Sequence, residues 1–215
     1  ILGVQAGSQL PGGPQQVQVK PGSTAKNRNQ GKQDARNKNT NKQAPLEDPG
    51  YRKFGIYENT APRASQTTPV TTGLPLAIPA GSRIALVGNT LLERSRLFGH
   101  FETLLHQRYP QHKLVVRNLA WSADTPDVQV RPANFADLNQ HLTHEKIDII
   151  FAAYGFNESF AGPAGLPAFR KSLTAYTREL QSRSFNGKKG PRIVLVSPIA
   201  NENIAGVQAA DLNNE

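Results

Sequence analysis

The sequence predicts a doubly wound α/β fold, a parallel sheet with helices on both faces, over residues 81–215 of the 215-residue chain. Three observations carry this expectation. Short continuous apolar runs alternate with amphipathic stripes of helical period. The runs are apolar at consecutive positions, as in strands buried on both faces. The strand–helix alternation continues through four strands, which demands parallel pairing with right-handed crossovers.

The elements follow in order from Arg83. Ile84-Ala85-Leu86-Val87, followed by Gly88, reads as the first buried strand. A helical stripe follows, formed by Leu91, Leu92, Leu97, Phe98, Phe101, Leu104, Leu105 and Tyr109 and ended by Pro110. Leu114-Val115-Val116 is the second strand. After a long loop, Phe135, Leu138 and Leu142 mark a short helix. Ile147 to Ala152 is the third strand. Leu166, Phe169, Leu173, Tyr176 and Leu180 form a further helix, closed by Asn186-Gly187, and Ile193 to Val196 is the fourth strand, ended by Pro198.

The preceding residues have a different character. Residues 1–80 are read as a polar, basic tail and linker, with no large apolar residue from Gly22 to Asn41. Such a stretch cannot bury enough surface to offset chain entropy, and is expected to be disordered. Tyr51–Tyr57, with alternating bulk, is the one piece expected to dock as a stray strand. Between Lys20 and Lys42 lie seven basic residues and one acid, so six of the nine net positive charges sit in the tail. The rest carries an ordinary charge for a soluble domain. A low-aromatic basic tail of this kind is usually a solvated tether, and no nucleic-acid partner is expected.

Further classes are excluded by composition. The chain has no cysteine, which removes disulfides, thiolate zinc sites and cysteine nucleophiles. No run approaches the ~18 apolar residues of a membrane span. The chain opens on Ile1, and Val4-x-Ala6 has the small-residue spacing of a signal-peptidase site, so a secreted or periplasmic location is expected. The two ends are read as cut from a longer reading frame, with the α/β domain incomplete and further domains possible.

Ligands of a doubly wound sheet bind beyond the carboxyl ends of its strands, near the switch in strand order. Polar residues gather there. The first strand leads into Gly88-Asn89-Thr90, the second into Asn118 to Thr125, the third into Gly155-Phe156-Asn157-Glu158 and the fourth into Ser197-Pro198. No G-x-G-x-x-G follows the first strand and there is no P-loop, so no nucleotide cofactor is expected.

These blocks resemble those of the SGNH (GDSL-like) hydrolase family. Val87-Gly88-Asn89-Thr90 is similar to its strand plus G-D-S, Asn118 to Thr125 to its N-x-G-x-x-G-D-T, and Gly155 to Glu158 to its G-x-N-D. The resemblance runs from about Arg83 to Pro198 and is greatest to SGNH-type domains of large secreted planctomycete-type proteins. It implies a flavodoxin-like sheet and hydrolysis of a small-molecule or carbohydrate ester, without cofactor or metal. It also implies Thr90 at the nucleophile position, with the Ala123 N–H and the Asn157 side chain as oxyanion donors. Gly88, Asn89, Trp121, Gly155 and Glu158 would line the substrate site.

Three departures stand beside the match. Thr90 replaces serine, and its methyl restricts χ1 and crowds attack. Ala123 replaces a glycine. No Asp-x-x-His occurs in the chain, so the base and its orienting acid would lie beyond Glu215.

Each residue also has a reading without chemistry. Thr90-Leu91-Leu92-Glu93 fits a helix capping box. Asn157 can turn the chain after Gly155, and Glu158 can begin that turn. Trp121 either walls the pocket or packs on the sheet edge. Asn118 and Asp124 are expected to hold the long loop. His141 and His144, spaced i, i+3, could face a metal, but with no third ligand evident they read as a solvated pair. The two functions in competition are thus an ester hydrolase and an inactive SGNH-fold module that binds or scaffolds.

Overall fold

The computed structural model describes residues 56–200. The tail reading of residues 1–55, most of the stray strand at 51–57 and the chain after Ala200 lie outside the described residues. Tyr57 itself forms a single antiparallel bridge with Phe135.

Residues 56–80, assigned by composition to the linker, are packed at several points. Ala64 lies against one core cluster, and Leu76 and Ile78 belong to another. Gln140, fully buried, donates to the carbonyls of Glu58 and Ala61 at 2.8 and 3.2 Å. β1 (Ser65–Gln66) pairs antiparallel with β5 (Arg183–Ser184). Scattered apolar residues in a Thr/Pro-rich segment lack a period, so only the tertiary contacts reveal their burial.

Among the described residues the central sheet has four parallel strands: β2 (Arg83–Gly88), β3 (Val115–Asn118), β4 (Ile149–Ala153) and β6 (Arg192–Val196). Their order is β3-β2-β4-β6, the flavodoxin-like arrangement. Leu86 of β2 sits opposite Asn118 of β3 and Phe151 of β4, and Phe151 sits opposite Val194 of β6.

Successive strand residues enter opposite layers, which is why the runs are continuously apolar. Ala85, Val87, Ile150 and Ala152 pack with α3 (Leu138–His144) and α5 (Leu166–Gln181), through Leu138, Leu142, Leu173 and Leu180. On the other face Ile84 and Ile149 pack with Leu105 and Tyr109 at the end of α2 (His100–Arg108). Each fully buried Ile or Leu contributes ~1.5–3 kcal/mol relative to exposure. The sheet is therefore doubly wound.

The amphipathic stripe of residues 91–109 is not one helix. α1 (Thr90–Ser95) ends within two turns, and Gly99 in the left-handed region (φ 66°) starts α2 on a new axis. The break leaves Leu97, Phe98 and Leu104 exposed. α3 starts at an Asp137 cap, with Gln140 closing a capping box in both directions at 2.8 and 3.0 Å. Its expected first residue, Phe135, lies before the helix. No helix among the described residues is long and apolar enough to cross a membrane.

Charged pairs tie together the amino ends of the strands. Asp148 accepts from the Arg83 backbone N–H at 2.9 Å, and Glu145 accepts from the Arg83 and Arg117 guanidinium groups at 2.6 and 3.0 Å. The carboxyl ends are left for the site.

Candidate active site

The first block is shaped by how closely β2 and β4 approach. Gly88 has φ 122°, and a Cβ there would fall 2.1 Å from the Ala153 carbonyl oxygen. Only glycine fits. Asn89 N–H then donates to the same carbonyl at 3.1 Å, and the chain turns into α1.

Asn89 is the N-cap. It is buried, extended at φ −91° and ψ −160°, and its side chain accepts the Leu91 N–H at 3.2 Å. The capping-box reading of Thr90 and Glu93 is therefore corrected by one residue: Thr90 is the first residue of α1, and Glu93 pairs with Arg96. Asparagine outranks threonine at this position, and the Gly88 turn fixes which of them sits in it. The Thr90 side chain is left on the wall of a cleft.

The second block lies along the β3 side of β2. Leu119 and Trp121 N–H groups donate to the carbonyls of Leu86 and Gly88 at 2.8 and 2.9 Å, extending the ladder past the strands. Asn118 pins the loop from within, accepting the Ala120 N–H at 3.1 Å and donating to the Leu92 carbonyl at 2.6 Å. Ala123 is exposed and left-handed at φ 68°, a conformation that favours glycine. Asp124 is buried and receives both Arg131 amino groups, at 2.8 and 2.7 Å. The Asp124 hydrogen bond raises the Arg131 pKa against the opposing effect of burial. The Arg131 guanidinium also stacks 4.8 Å from the centre of the Trp121 ring. Trp121 lines a separate cavity of about 250 Å³ with Glu93, Arg96, Asn118 and Ser122.

The third block follows β4 into α4 (Phe156–Ser159). Gly155, at φ 112°, packs where a Cβ would meet Pro198 Cγ at 3.3 Å. Glu158 Oε2 accepts the Gly155 N–H at 2.9 Å, so Glu158 closes the turn, while its Oε1 is buried with no hydrogen-bond partner among the described residues. Asn157 is half-buried on α4. Tyr154, just before the turn, is buried with its hydroxyl 3.1 Å from both Tyr176 and Gln129. Burial, above all, raises the pKa of both phenols, that of Tyr176 to about 12, so they stay neutral.

The cleft opens where β2 and β4 end, the switch point of the sheet, and has a volume of about 510 Å³. Asn89, Thr90 and Phe156 line it, as do Phe98, Phe101 and Ile199, which strand-end reasoning missed. Phe98 and Phe101 were signalled by an apolar stripe wider than one helix needs, whereas Ile199 follows the fourth strand without such a pattern. Gly88 and Gly155 shape the turns beside the cleft. Ala123 and Trp121 lie on the loop at the β3 side of β2, and Asn157 and Glu158 on the short helix after β4. The two histidines of α3 have separate surroundings: His141 packs on Phe135 at 5.0 Å, and His144 faces Glu145 at 3.6 Å. Burial is the main cause that lowers the His141 pKa.

No protein-family model matches the chain, and no curated protein matches it significantly. Among solved structures, a gut microbial diltiazem-metabolizing enzyme is similar in part, at 19% identity and a TM-score of 0.45, over 64% of this chain and 32% of that one. The chain thus spans about a third of that enzyme's length.

Proposed function

We propose that the carboxyl-end cleft is the site of an SGNH-type ester hydrolase, in a protein acting outside the cytoplasm. The observation that carries this reading is the position of Thr90. The residue matching the family's nucleophile is not the helix cap, and it lines the cleft at the switch point. The left-handed Ala123 supports it, because a turn that favours glycine occurs at the residue matching the family's glycine. In this reading the Thr90 hydroxyl oxygen attacks the ester carbonyl as its proton passes to a general base. The Ala123 N–H and the Asn157 amide stabilise the oxyanion. The alcohol then leaves with the proton held by the base, and water cleaves the acyl–Thr90 ester to release the acid and restore the Thr90 hydroxyl.

A second reading, a binding or scaffolding module of the same fold without turnover, is favoured by Thr90 and Ala123 standing where the family has serine and glycine. The two separate on an activated acetyl ester offered to the complete protein. The hydrolase reading expects hydrolysis that falls at least ~100-fold in Thr90→Ala and survives in Thr90→Ser. Hydrolysis unchanged by Thr90→Ala refutes Thr90 as nucleophile, and no hydrolysis at all favours the module.

A further inference from the structure

The cleft wall is chemically one-sided. Leu91, Phe98, Phe101, Phe156 and Ile199 present hydrocarbon to it. Of its polar side chains, Asn89 caps α1, the Ser95 hydroxyl donates to the Leu92 carbonyl at 2.7 Å and the Tyr154 hydroxyl pairs with Tyr176, which leaves Thr90, Arg94 and His100 for a ligand. With so few partners on the wall, a sugar ring seated there would leave most of its hydroxyl groups unpaired, each such loss worth about 5-fold or more in affinity. An alkyl chain has nothing to leave unpaired.

Size agrees. A cleft of about 510 Å³ lies within the range of small-molecule sites. At ~30 Å³ per carbon, taken as the volume share of a water molecule, an eight-carbon chain fills roughly half of it. The exposure of Phe98 (69%) and Ile199 (71%) marks hydrocarbon that a bound chain would cover. Arg94, also on the wall, supplies a cation for the carboxylate end.

We infer that the cleft binds the apolar acyl group of its ester rather than a sugar, with room for a chain of at least eight carbons. This rests on reading the switch-point cleft as an ester-hydrolase site. The test uses unreactive product analogues, so that it reads binding without turnover. Acetate, butyrate, hexanoate and octanoate are titrated into the full chain by calorimetry. Each added methylene is expected to tighten binding about 4-fold, equivalent to ~0.8 kcal/mol. Phe98→Ser is expected to weaken octanoate at least ~5-fold and to leave acetate unchanged. Leu195→Ser removes a comparably exposed apolar residue outside the cleft (51% exposed) and is expected to change neither.

A flat chain-length series overturns the inference, as does equal weakening by Phe98→Ser and Leu195→Ser, or an acetylated sugar binding more tightly than octanoate. The two readings fail separately. If octanoate binds in the cleft but Thr90→Ala leaves ester cleavage unchanged, the nucleophile assignment falls and the acyl site stands. If esters are cleaved through Thr90 without dependence on acyl length, only the acyl site falls.

Discussion

Asp124→Asn tests how the second-block loop is held. The substitution keeps the size of the side chain and removes its charge. In the structure the Asp124 and Arg131 side chains are only 4% and 9% exposed and meet through two hydrogen bonds of 2.7 and 2.8 Å. Removing one member leaves the other charge buried, at a cost of ~3–5 kcal/mol. Stacking of Arg131 on Trp121 returns at most ~1–2 kcal/mol of local order and does not replace the lost anion. A net loss of ~3 kcal/mol is expected, with a fall of ~6–12 °C in Tm for a domain of this size. Urea denaturation of Asp124→Asn, Arg131→Gln and the double variant measures it. The double variant, with both charges gone, is expected to lose less than the two single losses added together. A single loss below ~1 kcal/mol, or strict additivity, would refute the claim that a desolvated ion pair holds the loop.

Other expectations concern the same loop and the far end of the sheet. Ala123→Gly relieves a left-handed backbone at φ 68°, and after the entropy of glycine is subtracted it is expected to stabilise by up to ~1 kcal/mol. A rise of about 2–4 °C in Tm would register it, and a fall would mean that the methyl makes a compensating contact. Glu145 sits between Arg83 and Arg117, and although burial, the largest single influence, pushes its pKa up, the two cations bring it below the ordinary value. The fold therefore favours its ionised form. Its contribution is fully present above the unfolded glutamate value of ~4.3 and is lost as pH falls through the lower folded one. Glu145→Gln is thus expected to destabilise at neutral pH, with the difference from the parent narrowing below about pH 4; a difference independent of pH refutes the ion-pair account. His141 has the same sign: its neutral form is favoured, so His141→Gln should narrow the loss of Tm on acidification below about pH 6.5.

Much of the sheet could be read from the chain because its strands are buried on both faces. Ile84 and Ala85, or Ile149 and Ile150, enter opposite cores, and that requirement writes apolar residues at every position. The block positions at the strand ends were legible for a related reason, since parallel strands end on one side and must turn there. The break at Gly99 was hidden, because apolar residues continue through it. The cap was misplaced by one residue because the box pattern scores Thr90 and cannot see that Gly88 abuts Ala153. Arg131 carried no signal at all: its partner lies seven residues back, joined only when the loop folds over β2.

The sequence by itself determined a parallel α/β sheet and the end of it where polar residues collect, because burial and chain direction are written as periodicity. Only the tertiary structure decided which side chains face the cleft. It handed the cap to Asn89 and left Thr90 on the wall. It turned α2 at Gly99 so that Phe98 and Phe101 line the same space, and it buried Asp124 against Arg131. Those outcomes depend on backbone approach and side-chain packing between segments distant in the chain, and no local pattern records such distances.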